Sequence, residues 1–323
     1  MNSFQEMMKM NSEYLKLVEK AQKKRIKLTN SQTEEIKNLY KDIAKDLQER
    51  IKKSNKRSLT ERWLCDYKKQ FRKDIKKLNK VLKKNIKESM LKSANIASFI
   101  QIDFFNMLDK KFNIKVMDMF SGLFTRIPQE VLFEIISGDF YKDGKGLSTR
   151  IWNNEIRANK SIDYIIKQGL LEKKDVYSIS KDLEKFINPN IKTDWDFKKI
   201  YPGVGNKKIE YNSFRLAVTS ISHAYQLSMQ RSCEANIFVD GIQWNISNSH
   251  RGTCSLCAAR DKKIYKTNEL PLDHPLGVCY FTPVIQKSLD DIGTELHDWV
   301  HGKNNKKLDN WYKKYGINYL QML

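Results

Sequence analysis

Ile36, Leu39, Tyr40, Ile43, Leu47 and Ile51 recur at steps of three and four residues, and Leu64, Tyr67, Phe71, Ile75, Leu78, Leu82 and Ile86 do the same. That period puts each set on one helical face, so two amphipathic helices are predicted, each with a Lys-rich polar face. SQTE (31–34) and SLTE (58–61) fit the pattern in which a Ser hydroxyl and a Glu three residues on satisfy the orphan amides of a helix start. Trp63, Tyr67 and Phe71 fall on the second apolar stripe and are expected in the core or against a partner, since base-stacking platforms must stay exposed.

From about 96 to 137 the chain is more hydrophobic, with helical patches predicted to break at Asn113, Gly122 and Pro128. GDFYKDGKGLS (138–148) is turn-rich, and its glycines lack the pattern of a phosphate-binding loop. TRIWNNEIRANKSIDYIIKQGLL and VYSISKDLEKFI (176–187) have helical periods, the second ending at Asn188 and Pro189. Residues 188–208 read as an irregular, exposed connection. NSFRLAVTSISHAYQLSMQRSCEA (212–235) suits a buried helix. After Asn236 the period changes, and IFVDGIQWNIS (237–247) is β-branched and aromatic around Asp240-Gly241, which predicts a short hairpin or bent strand. One or two short helices are expected around Trp299 and Trp311.

The predicted class is therefore α+β and mainly α-helical: a basic helical region (1–110), a helical core domain (111–235), a small β-containing Cys/His knuckle module (236–285) and a C-terminal helical tail (286–323). At 323 residues the chain can bury a substantial core. The start shows no secretory pattern, and no apolar run approaches the roughly 20 residues that span a bilayer, so a soluble protein made in the cytosol is expected, with no membrane partner.

The formal net charge of +21 favours polyanionic partners, and most of it lies in the first 110 residues. Lys far outnumbers Arg. Arg is the residue suited to bidentate recognition, so contact with nucleic acid is expected to be nonspecific, and a plain solvated helical surface is the alternative.

Five cysteines, an odd number in a cytosolic setting, favour metal binding or burial over disulfides. Cys65 and Cys233 sit in helical patterns and are expected in the core. Cys254 and Cys257 form a C-x2-C pair, followed by His274 and Cys279 in HRGTCSLCAARDKKIYKTNELPLDHPLGVC (250–279). Two cysteines so spaced can grip a tetrahedral ion, and a second arm supplying His and Cys would close a Cys3His structural zinc site, with His250 as a substitute ligand. The strand-like IQWNIS and CYFTPVI would supply the arms. Buried reduced cysteines with a hydrogen-bonded His274 are the alternative. Four protein ligands leave no open position for water, which disfavours a catalytic metal, and no small-molecule substrate is indicated.

Two enzyme patterns are incomplete. LDHP after the C-x2-C pair is similar to the entry of a His-Asn-His nuclease, but the downstream Asn304 and Asn305 lie in a Lys-rich turn. Arg215 and TSIS (219–222) echo an ADP-ribosyltransferase, but no Glu-x-Glu follows and the spacing is helical.

The order of features is more telling than any one of them: long helices, GLSTRIW, YNSFRLAVTSISHAYQ, GIQWNISNSHRGTCSLCAARDKKIY and LPLDHPLGVCYFTPV. This order resembles the phage head morphogenesis or minor head protein family, which includes the Mu F-like proteins. The elements that carry it are Trp244 in a strand, the Cys254/Cys257 turn, a hairpin begun at Asp261, and Pro271 to Cys279. Lys262 stands where the family commonly has Gly, and the ending HPLGVCYF is longer and has one cysteine fewer. The resemblance implies a non-enzymatic virion component located near the portal vertex. Its partners would be the portal protein, major capsid or scaffold protein, and packaged DNA contacted nonspecifically. A metal-dependent DNA nuclease of the His-Asn-His type is the alternative.

Overall fold

A computed structural model describes residues 2–53, 60–204, 208–247 and 253–316. These residues are mainly helical, with one small sheet among them. Their elements are α1 (Asn2–Lys53), α2 (Glu61–Phe112), α3 (Val116–Ser137), α4 (Leu147–Leu171), α5 (Val176–Ile187), α6 (Trp195–Ile200), α7 (Ile209–Ala235), β1 (Gly241–Asn245), α8 (Ser255–Ala258), β2 (Ile264–Tyr265), β3 (Tyr280–Val284), α9 (Leu289–Val300) and α10 (Lys306–Tyr315). None of the described helices is long and apolar enough to cross a membrane.

The chain forms two compact units. The first comprises Met1–Thr29, Ser89–Ile135 and Thr219–Leu323, and the second Asn30–Glu88 and Ile136–Val218. Both are assembled from non-contiguous segments, and α1, α2 and α7 each contribute to both.

Helix α1 does not begin at Ser31, as the SQTE pattern suggested, but runs through it. The segment contains neither Gly nor Pro. Its buried stripe continues through polar side chains, Gln22, Arg25 and Gln32, so apolar periodicity alone misses it. In SLTE, Ser58 and Leu59 lie outside the described residues. Thr60 caps α2, accepting from the Trp63 amide at 3.3 Å.

In the second unit the predicted apolar residues of α2 from Leu64 to Ile86 are buried, as are Ile36, Tyr40, Ile43, Leu47 and Ile51 of α1. Cys65, expected in the core, is exposed. It follows Leu64 by one residue, about 100° around the helix and off the stripe. Arg72 of α2 donates to both carboxylate oxygens of Asp163 in α4, at 2.8 and 2.7 Å. Residues 188–208 are less open than expected. Asp194 caps the short α6, and Phe197 and Tyr201 are buried, with the Tyr201 hydroxyl donating to Asp182 at 2.9 Å.

In the first unit α2 ends where Asn113 takes the left-handed conformation (φ 53°), which Asn tolerates better than most residues. The other two predicted breaks, Gly122 and Pro128, lie inside α3. Pro128 has no amide to offer the Phe124 carbonyl four residues back. The Ser98 hydroxyl supplies the missing donor at 2.5 Å. The core is aromatic: Phe105, Phe120 and Phe238 gather around Trp311 of α10, and Phe124 stacks on Phe105. Trp311 donates to the Ala235 carbonyl at 2.7 Å and so fastens the tail helix.

The sheet has order β2-β1-β3, both pairings antiparallel. Asp240-Gly241 is not a hairpin turn: β1 starts at Gly241, and its long pairing is with β3, from Gly241↔Val284 to Asn245↔Tyr280. Pro283 is tolerated in β3 because that strand is an edge.

Candidate metal centre

Trp244 and Phe281, cross-strand partners in β1 and β3, meet edge to face at 5.0 Å and form the floor of the module. Beyond β1, Cys254 caps the single turn α8, its Sγ accepting from the Cys257 amide at 3.4 Å. The chain then turns at Lys262, which takes φ 60° in the position where a glycine would be unstrained. Asp261 steadies this turn by accepting from the Ile246 amide at 3.0 Å. β3 returns the chain past Cys279.

These paths bring the four predicted ligands into one cluster that could hold a metal ion. The donor atoms of Cys254, Cys257 and His274 lie within 4.8 Å of one another, and so do those of Cys257, Asp273 and Cys279. Cys257 belongs to both sets. Cys254 is exposed, His274 half-buried, and Cys257, Asp273 and Cys279 buried. The cluster lines a cleft of about 280 Å³. His250 lies outside the described residues. Asp273 was missed in the sequence, although it stands beside His274 in LDHP.

The donor set fits a soft or borderline divalent cation: three thiols and an imidazole, with a carboxylate beside them. Burial pushes the Cys257 and Cys279 thiols and the Asp273 carboxyl above their usual ranges. Cys254 is held lower, first by the Cys257 amide. Three acidic groups crowded out of water are disfavoured as anions, and a bound cation reverses that preference. Among the described residues, Oδ2 of Asp273 is buried with no hydrogen-bond partner.

The ligand loop is fastened along its length by polar side chains spaced i, i+3, i+4, i+7 on one face of α7. Thr219 accepts from the Leu276 amide at 3.1 Å, and Ser222 donates to the Gly277 carbonyl at 2.9 Å. The His223 ring lies 3.1 Å from the Asp273 carbonyl. Gln226 donates to the Pro271 carbonyl at 2.6 Å and accepts from the Asp273 amide at 2.9 Å. From α1, Arg25 donates to the carbonyls of Val278 and Cys279 at 2.9 and 3.0 Å. The polar spacing in TSISHAYQ was available as a signal but was overshadowed by the small and apolar residues around it. Gly277 is required locally, since a Cβ there would come within 2.2 Å of the Asp273 carboxylate.

The incomplete enzyme patterns gain no geometry. Asn305 uses its carbonyl oxygen to cap α10 and its amide to reach Glu295 at 2.9 Å. TSIS is helical, and Arg215 is exposed on the same helix. Compared with known proteins, the chain matches no family model, no curated protein and no solved structure.

Proposed function

We propose that the chain is a non-enzymatic minor head protein of a tailed phage or prophage, whose C-terminal module is stapled by a structural zinc ion. The observation that supports the reading is the convergence of the motif series. The Trp244 strand, the Cys254/Cys257 turn, the Asp261-Lys262 turn that leads into β2 and the His274/Cys279 loop are all parts of one module around one donor cluster.

Zinc supplies no reaction here. Held by Cys254, Cys257, His274 and Cys279, it would have its four positions filled by protein, the arrangement of a structural site. Asp273 and the polar face of α7 orient the ligand loop. The sheet has only three short strands, and a module of that size commonly depends on a staple.

Portal protein at the capsid vertex is the principal partner in this reading. Major capsid or scaffold protein and packaged DNA are further ones, and the protein's place is the virion head near that vertex. The basic helices suit a DNA contact without base reading. Co-expression with the portal protein encoded beside it tests the assignment. Stable co-purification and presence in virions are expected, and the absence of both would defeat it. Plasmid cleavage with a divalent metal, lost in His274→Ala, would establish the nuclease instead.

A further inference from the structure

Between Lys73 and Lys87, α2 carries Lys73, Lys76, Lys77, Lys80, Lys83, Lys84 and Lys87. At about 100° per residue all of them fall within an arc of about 120°, and no other residue of that segment falls in it. The buried stripe of Phe71, Ile75, Leu78, Leu82 and Ile86 lies on the opposite side.

The neighbouring helices of the second unit take the flanks of this arc, on which Lys73, Lys76, Lys77, Lys80 and Lys84 are exposed and Lys83 and Lys87 half-buried. The flank of α2 that carries Arg72 and Asn79 is taken by Asp163 and Glu155 of α4. The other flank, with Asp74 and Asn85, meets Arg50 and Glu35 of α1. Cations on the covered side are paired: Lys68 and Arg72 share Asp163. On the arc itself, among the described residues, Lys84 alone has a carboxylate in reach, Glu88 at 3.9 Å.

We propose that this lysine ridge is a sequence-independent docking surface for the phosphate backbone of duplex DNA. Its charges span about 21 Å along a rigid helix, a length over which a duplex offers several phosphates on each strand. The arc has no Arg, so bidentate base reading has no agent. It also has no apolar residue, so it lacks what an interfacial membrane helix inserts. This names the surface for the DNA contact in the functional reading above and rests on that reading only for the source of the DNA.

The test is fluorescence anisotropy of the full chain with a labelled mixed-sequence duplex, between about 50 and 200 mM salt. Combined Lys73→Gln, Lys76→Gln, Lys80→Gln and Lys83→Gln should weaken binding at least about tenfold and flatten the log-log salt slope by about 3. The same four positions changed to Arg should retain binding, and circular dichroism should show unchanged helicity. The charge-matched control is Lys20→Gln, Lys23→Gln, Lys24→Gln and Lys27→Gln, exposed positions of α1, and it should lose little. Equal loss in the two Gln sets would reduce the effect to net charge and overturn the ridge, as would no loss in the first. Preference for phosphatidylserine vesicles over DNA would overturn it too. Because the portal co-purification is read separately, a ridge that fails while the portal still binds leaves the head-protein reading standing.

Discussion

Arg25, in the first helix, donates from Nη2 to the backbone carbonyl of Cys279, 254 residues further along the chain, at 3.0 Å. The same nitrogen reaches the Val278 carbonyl, and the guanidinium lies 4.7 Å from the centre of the Tyr225 ring. Arg25 is 2% exposed, so α1 places a charge inside the first unit to hold the last ligand of the cluster.

Arg25→Ala should therefore act twice. Removing a buried charged donor strands two carbonyls and leaves Asp273 without its nearby cation, at a cost of about 3 kcal/mol or more. With the ligand loop loosened, zinc affinity should fall by about 10- to 100-fold, as it does when groups orienting a ligand are lost. Denaturant unfolding reads the first effect and competition with a chromophoric chelator the second. Unchanged zinc affinity would separate Arg25 from the site.

One equivalent of zinc is expected in freshly isolated, reduced protein, and chelation should lower the melting temperature in proportion to how far the metal was bound. The two donor sets predict an unequal response. Cys257 belongs to both, so Cys257→Ser should abolish binding, whereas Cys254→Ser leaves Cys257, Asp273 and Cys279 together and should retain weakened binding. Cys65→Ser, at an exposed position, should change neither metal content nor stability. Elemental analysis of the three variants decides this.

The apolar period located α2 well from Leu64 to Ile86, where the buried stripe is itself apolar, and α5 and α7 kept enough of the period to be found although Ser180, Asp182, Ser222 and Gln226 are buried on them. It failed in the first part of α1, where large polar side chains interrupt the apolar stripe. The stripe of α1 passes through Gln22, Arg25 and Gln32, so a continuous helix was mistaken for one that starts at Ser31. The irregular reading of 188–208 overlooked Asp194 as a cap for α6, which is too short to show a period. At the site, the ligands were legible because thiols at C-x2-C spacing have few other uses. Their supports were not, because Arg25 and the α7 residues act through backbone carbonyls and amides of a loop far away in sequence.

Pro128 shows how a distant side chain makes a local rule fail. The Ser98 hydroxyl takes the place of the amide that Pro128 lacks, donating to the Phe124 carbonyl. Ser98→Ala should cost about 1–3 kcal/mol by leaving that buried carbonyl unpaired. In a Pro128→Ala background the helix supplies its own amide, and the cost of Ser98→Ala should fall well below that value. Four urea titrations complete the cycle, and additive costs would show that the two residues do not share the carbonyl.

Asp175 caps α5 through both carboxylate oxygens: Oδ1 accepts from the Ser178 amide at 3.0 Å and Oδ2 from the Ser178 hydroxyl at 2.6 Å. These bonds hold its pKa below the ordinary carboxylate value, the hydroxyl contributing most. The folded pKa is depressed, so the contribution is fully present above the unfolded carboxylate pKa of about 4 and is lost as pH falls through the folded value. Asp194 at the start of α6 is lowered in the same way, there chiefly by the Phe197 amide, so both helix starts should loosen together in acid. Asp175→Ala should cost about 1 kcal/mol at neutral pH, the usual loss of a cap. Asp175→Asn keeps an oxygen acceptor without the titrating charge, so it should retain most of the stability and remove the acid-dependent part. Hydrogen exchange of the Ser178 amide, followed from neutral to acid pH in the parent and the Asn variant, reports this directly. Equal acid sensitivity in both would assign the loosening of α5 to another carboxylate.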